Sequence, residues 1–278
     1  MESTLESNIT VIEPRKGWLA GFSLREMVRY RELLYFLVWR DVKVRYKQTV
    51  LGAAWAVLQP FFTMVVFTVF FGRMAGVPSD GIPYPIFSYA ALLPWTYFSN
   101  AVSQSGNSLV NNANLITKVY FPRLCIPMGA TLAGLVDFSI AMVVLGGMMI
   151  WYRYVPGAGL LLFPLLVAVT FLLATGVGLL LSALNVQYRD VRYVIPFLVQ
   201  VWLFVTPVIY PVSLAGRYGW LLYLNPMAGI IEGFRACILG HKPIPWSPIG
   251  ISVFLTLLLF MAGSIYFHRM ERQFADVV

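Results

Sequence analysis

The sequence predicts an all-α integral membrane protein. It has six transmembrane helices, an N-terminal amphipathic interfacial helix and an outer re-entrant helical hairpin between spans five and six. Three observations predict it. Apolar residues make up 59% of the 278 and charged residues only 12%, about half the charge of a typical soluble domain, too little to cover a water-soluble globule of this size. Charge-free stretches are long and numerous enough for six crossings. The basic residues gather on one side of those stretches. Mean hydropathy is +0.75, which excludes a disordered chain, because disorder goes with scarce apolar residues.

Residues 1–22 read as an N-terminal tail and 23–47 as a cytoplasmic amphipathic helix. The segment Ser23-Leu24-Arg25-Glu26 has the form of a capping box, with Ser23 as N-cap and Glu26 reaching back. Leu24, Met27, Tyr30, Leu34 and Leu37 then recur at steps of three and four, with Arg25, Arg29, Glu32 and Arg40 on another face. Such a helix lies along an interface, and Trp18, Phe22 and Trp39 are its aromatic anchors. The sequence is expected to retain this segment, since no apolar run of signal-peptide form interrupts its basic residues.

The transmembrane domain is expected over 48–270, with a cytoplasmic tail at 271–278. About 20 apolar residues cross the hydrocarbon core, and the charge-free stretches place spans near 51–71, 87–108, 127–150, 161–184, 194–211 and 249–267. Orientation follows from Lys and Arg, which favour the cytoplasmic side. Nine of them lie between Arg15 and Lys47, joined by Lys118, Arg123, Arg189, Arg192, Arg269 and Arg272; the opposite side holds Arg73, Arg153, Arg217, Arg235 and Lys242. Both termini are therefore expected in the cytoplasm, with an even number of crossings. The net charge of +8 is explained by this topology and by contact with anionic membrane lipids, not by nucleic acid.

The second span carries the clearest functional signal. Asn100, Gln104, Asn107, Asn111 and Asn114 are separated by four, three, four and three residues, which puts five carboxamides on one helical face. Unsatisfied polar groups in hydrocarbon cost several kcal/mol each, so that face meets other helices, the interface or water. One outcome is hydrogen bonding between helices. The other is a neutral lining for a hydroxyl-rich solute. Asp137 is the one acid deep in a span, where a carboxylate must be paired, protonated or wetted. Trp95, Phe98, Trp202 and Tyr210 fit an aromatic belt or the aromatic part of a glycan path. Pro207 and Pro211 interrupt the fifth span. Beyond them, Met227 to Leu239 reads as a short helix in a re-entrant pair, with Glu232 and Arg235 pairing on its surface.

No phosphate-cradling G-x-x-x-x-G-K-[ST], H-E-x-x-H or nucleophile elbow is present. His241, His268, Cys125 and Cys237 are dispersed and make no metal site. The chain is thus expected to be a transporter subunit without catalytic residues, metal or cofactor of its own; if transport is active, its energy comes from another subunit.

Several strings carry a resemblance. Arg40-Asp-Val-Lys-Val-Arg-Tyr-Lys-Gln-Thr-Val-Leu-Gly52 is followed by Trp55 and Gln59-Pro60, then Leu93-Pro94-Trp95 and Phe98-Ser-Asn100. Asn114-Leu-Ile-Thr-Lys-Val-Tyr-Phe-Pro-Arg123, Asn185, Tyr188-Arg-Asp-Val-Arg192, Thr206-Pro-Val-Ile-Tyr-Pro211 and Asn225-Pro226 complete the series. In this order they resemble the type-2 ABC transporter permeases, more closely those that export lipopolysaccharide O-antigen and related polysaccharides. The resemblance implies a pair of identical six-helix subunits and two copies of a cytoplasmic ABC ATPase. It implies a polysaccharide on a polyprenyl diphosphate carrier as substrate and the cell inner membrane as location. It maps ATPase coupling onto Leu115 to Pro122, with Leu115, Thr117, Lys118, Tyr120, Phe121 and Pro122 named, and a second contact or latch onto Tyr188, Arg189 and Asp190. It gives the outer re-entrant pair the role of shaping the exit.

Other readings stay open from the residues alone. Teichoic acid, capsule or a lipophilic drug are alternative cargoes, and a membrane glycosyltransferase is a different class. The amide stripe favours a hydrated solute over a drug, and a single span acid is few for a glycosyltransferase.

Overall fold

A computed structural model describes residues 29–47, 52, 54–118, 121–240, 242–271 and 274. Every regular element among them is helical, as the sequence predicts. Helix α1 is Arg31–Tyr46, and α2, Ala54–Phe67, runs on as a π-helical segment, Thr68–Met74. Helix α3 is Tyr84–Asn111, α4 is Ala113–Lys118 and α5 is Cys125–Tyr152. A 3₁₀ turn, Ala158–Leu162, leads into α6, Phe163–Gln187; α7 is Val191–Val205. A second 3₁₀ segment, Val212–Tyr218, precedes α8, Gly219–Leu222, then α9, Pro226–Leu239, and α10, Trp246–Glu271.

Local chemistry sets several boundaries. Pro85 sits at the second position of α3 and Pro226 at the first of α9, where a missing N–H costs nothing. Asn225 caps α9, its side chain accepting from the Met227 amide at 3.1 Å. Gly240 ends α9 at φ 60°, the left-handed stop that glycine adopts without strain.

Among the described residues four helical stretches are long and apolar enough to cross a bilayer: Ala54–Met74, Cys125–Tyr152, Gly159–Gln187 and Trp246–Glu271. Helix α3 has 28 residues and the length to cross, but its amides lower its apolar character. Helix α7 has 15 residues, about 22 Å at 1.5 Å per residue, short of the ~30 Å core. Within the predicted fifth span, 194–211, the helix ends early, at Val205. The cause is Pro207, which disfavours the helical conformation in the residue before it; Thr206 accordingly turns extended at φ −93° and ψ 136°. The expected capping box at Ser23–Glu26 and the anchors Trp18 and Phe22 lie outside the described residues. Of the predicted front helix, Leu37 is buried, whereas Tyr35, Phe36 and Trp39 are exposed.

Helix α3 is the hub, packing on α6, α5, α9, α2 and α7. One core joins Phe87, Phe98, Phe138, Phe163 and Phe234. A second, at the end of the bundle that carries α1 and α4, joins Leu37, Leu109, Ile116, Phe121, Phe267 and Phe274. Helices α6 and α10 cross backbone against backbone. A Cβ on Gly176 would sit 2.6 Å from Phe260 Cα, and one on Gly263 would strike the Gly176 carbonyl. Small residues serve this purpose where lipid offers no hydrophobic drive between helices. Gly263→Ala is expected to cost about 1–3 kcal/mol by overpacking, read as a lower melting temperature in detergent. Gly250→Ala on the same helix meets nothing within 4 Å and is expected to be neutral or slightly stabilising.

Candidate functional site

The polar face of α3 opens onto a cavity of about 260 Å³ bounded by α1, α2, α3 and α5. Helix α3 contributes Thr96, Asn100 and Gln104, α5 contributes Asp137, α2 contributes Trp55 and Gln59, and the end of α1 contributes Arg45 and Tyr46. Asp137 is paired. The Arg45 guanidinium donates to one of its oxygens and to the Gln104 side-chain carbonyl, and the Tyr46 hydroxyl donates to its other oxygen. Both members of the ion pair are about three-quarters buried. The network ties α1 to two long helices, α3 and α5, and leaves the cavity wall polar without net charge. Among the described residues the side chains of Gln59, Thr96 and Asn100 make no hydrogen bond, so their donors and acceptors remain open.

The five-carboxamide stripe divides between environments. Asn100 and Gln104 face the cavity. Asn107 does not: its amide donates to the Ser103 carbonyl at 2.8 Å and its oxygen accepts from Asn185 at 3.1 Å. Asn185, 3% exposed on α6, also donates to the Gly106 carbonyl at 2.9 Å. Asn111 is exposed at the end of α3, and Asn114 is exposed on α4.

The four aromatic residues lie apart from the cavity. Phe98 has no accessible surface and Trp95 is 4% exposed. Phe98 packs edge-on against Trp202 at 5.0 Å. The Trp202 indole donates to Asn225 at 2.9 Å, and the Tyr210 hydroxyl to the Phe204 carbonyl at 3.2 Å. In this conformation Phe98 and Trp95 are core rings.

At the α1/α4 end, Thr117 and Lys118 are exposed, Leu115 is half-buried and Phe121 is buried in the second core. Tyr120 lies outside the described residues. Just past Pro122, the Arg123 side chain donates to the Glu271 carbonyl and its amide to the Glu271 carboxylate, mooring this segment to the end of α10. Tyr188, Arg189 and Asp190 form an exposed turn between α6 and α7, directly after the Asn185 tie to α3.

Glu232 and Arg235 pair at 3.1 Å, but not on a surface, which corrects the sequence reading. Arg235 is 6% exposed. It also donates to the Val208 carbonyl at 2.8 Å and the Phe87 carbonyl at 3.4 Å, and lies 3.7 Å over the Phe87 ring. Helix α9 is thereby buried on the side the sequence left open.

The bundle end opposite α1 holds a tie that the sequence did not suggest. Asp80, at φ 53°, accepts from Ser213 at 2.8 Å and from Lys242, joining three connecting segments. Burial pushes the Asp80 carboxyl up, but Lys242 and Ser213 outweigh it and hold it below its ordinary value of 3.8. A depressed carboxyl contributes stability above its unfolded value and loses it as pH falls through the folded one. Asp80→Asn, which tolerates the same left-handed backbone, is expected to lower stability by up to about 1 kcal/mol at pH 7. Its melting curve is expected to converge with the wild type once pH drops below the folded value.

Arg45, Tyr46, Trp55 and Gln59 were not singled out as site residues from sequence. The signal was present in Asp137, since a lone span acid needs a cation and Arg45 lies in the basic run before the first span. Among the described residues no cluster of His, Cys, Asp and Glu is arranged to hold a metal.

Long apolar helices around a polar-walled cavity define a multi-pass membrane protein. The family model described as ABC-2 type transporter matches residues 32–239, and the chain belongs to that family. It is 29% identical over 259 residues to an O-antigen export system permease protein, RfbA, of Myxococcus xanthus, covering 92% of this chain and 98% of that one. It is 26% identical over 249 residues to the RfbA protein of Klebsiella pneumoniae, covering 89% and 95%. It is 23% identical over 240 residues to the polysialic acid transport protein KpsM of Escherichia coli, covering 84% and 92%.

Proposed function

We propose that this chain is the membrane permease of an ATP-driven exporter that moves a polysaccharide on a polyprenyl diphosphate carrier across the inner membrane. The observation that carries the reading is the nearly end-to-end alignment with permeases named for O-antigen export. The polar, charge-compensated cavity supports it, because a long glycan needs many weak contacts instead of one tight site.

In this reading α3 and α7 supply the second and fifth of six crossings, with 206–211 completing the fifth. Helices α8 and α9 dip back from the outer face as the re-entrant pair, Glu232–Arg235 fastens α9 to α3 and to Val208, and both termini lie in the cytoplasm. Two copies of the chain enclose the path and two copies of a cytoplasmic ABC ATPase, holding ATP and magnesium, drive it. The exposed side chains of Thr117 and Lys118 meet that ATPase. Its closure displaces α4, and the Asn107–Asn185 contact passes the displacement to the Tyr188–Asp190 turn and α7.

The test is deletion of the gene in its own host. Loss of surface polysaccharide with lipid-linked polymer retained inside, reversed by the wild-type gene, is expected. Complementation with Asn100→Leu plus Gln104→Leu is expected to restore little polymer despite normal membrane levels of the protein. Unchanged surface glycan with altered resistance to a lipophilic drug would sink the proposal.

A further inference from the structure

We propose that the cavity between α1, α2, α3 and α5 is a binding subsite for one uncharged pyranose ring, formed by Trp55, Gln59, Thr96, Asn100 and the Arg45–Asp137 pair. The inference rests on the polysaccharide reading and narrows it to a residue set, a size and a charge.

Size comes first. At about 260 Å³ the cavity falls just below the ~300–1,000 Å³ of pockets that hold drug-sized molecules. It has room for a single ring with its substituents. Hydrogen-bonding capacity comes next. A pyranose presents several hydroxyls, each both donor and acceptor. Gln59 and Asn100 each bring two donors and an acceptor with no partner among the described residues, and Thr96 adds a hydroxyl. An ionised carboxylate has about four acceptor positions; Arg45 and Tyr46 take up one oxygen each of Asp137, leaving acceptor sites toward the cavity. An apolar surface is present as well: Trp55 is 56% exposed and lines the cavity, offering its ring to the C–H face of a sugar.

Charge sets the specificity. Among the described lining residues Arg45 is the cation, and Asp137 and Gln104 already hold its guanidinium. An anionic sugar or a phosphate would find no unpaired positive charge and would face the Asp137 carboxylate. The subsite therefore selects uncharged sugars over sialic or uronic acids.

The full-length chain in lipid nanodiscs provides the test, by saturation-transfer NMR. Galactose, mannose and N-acetylglucosamine are the uncharged probes and N-acetylneuraminic acid is the anionic one. Inorganic phosphate is followed by phosphorus line broadening. At least one uncharged sugar is expected to show saturation transfer, and N-acetylneuraminic acid and phosphate little or none. Gln59→Leu with Asn100→Leu is expected to weaken the signal about fivefold, the worth of one or two hydrogen bonds. Trp55→Ala, at an exposed position, is expected to weaken it with melting temperature unchanged, and this variant decides the matter where the double variant does not fold. Absence of transfer to all three uncharged sugars, preference for the anionic probe or phosphate, or a signal indifferent to these substitutions would overturn the proposal. Its failure leaves the export reading to the deletion experiment, which needs no binding; sugar binding by a chain whose deletion spares the surface glycan would overturn export and leave the subsite standing.

Discussion

Arg235→Leu is expected to remove most of the folded protein from the membrane. The guanidinium is 6% exposed and holds Glu232, two backbone carbonyls and the Phe87 ring together. Taking away one partner of a buried pair leaves the other charge uncompensated, a loss of about 3–5 kcal/mol against total stabilities of about 5–15 kcal/mol. Here the Val208 and Phe87 carbonyls are orphaned as well. Arg235→Lys keeps the charge but cannot reproduce the fork of donors, and is expected to fall between. Removing both charges, as Glu232→Leu with Arg235→Met, is expected to hurt less than Arg235→Leu alone, because no buried ion is left behind. Fluorescence-detected gel filtration with thermal ramping ranks the four proteins. A melting temperature for Arg235→Leu equal to that of the wild type would show that the pair holds nothing.

Asp137→Leu is expected to release α1 from the bundle. Arg45 loses its counter-ion and Tyr46 the Asp137 acceptor, while the Arg45–Gln104 bond and the packing of Leu37 stay. The pair is roughly a quarter exposed, so the loss is discounted to about 1–3 kcal/mol, between the surface and buried limits. Hydrogen exchange across 31–46 is expected to quicken while exchange in α6 and α10 stays slow. Surface polysaccharide is expected to fall with it, since the same residues wall the cavity. Arg45→Asp with Asp137→Arg is expected to recover part of the protection, because the charges again oppose each other but Tyr46 and Gln104 no longer match them. Unaltered exchange in Asp137→Leu would mean that α1 is held by Leu37 and its apolar neighbours alone.

The helices were legible because charge is excluded from hydrocarbon, and the gaps between charged residues therefore bracket them. The end of α7 was not. An apolar run continues to Pro211, and only the pre-proline restriction on Thr206 stops the helix, a local steric effect that hydropathy does not register. Helical spacing placed five carboxamides on one face of α3 and its extension. It could not show that this long face passes a cavity at Asn100, a packed helix at Asn107 and open surface at Asn111. Spacing also predicted the Glu232–Arg235 pair but not its burial, because Phe87 closes over it from 148 residues away in the chain. Arg45 and Asp137, 92 residues apart, are another tertiary pairing that no window along the sequence contains.

The contact of Gly176 with the α10 main chain, and of Gly263 with the Gly176 carbonyl, has a mechanical corollary. Two backbones in direct contact have no side-chain cushion to shear, so α6 and α10 form a stiff strut. Helices α2 and α7, whose outward faces are broadly uncovered, have no comparable glycine-to-backbone contact among the described residues. In the proposed export cycle the stroke is therefore expected of those two, swinging against a fixed post.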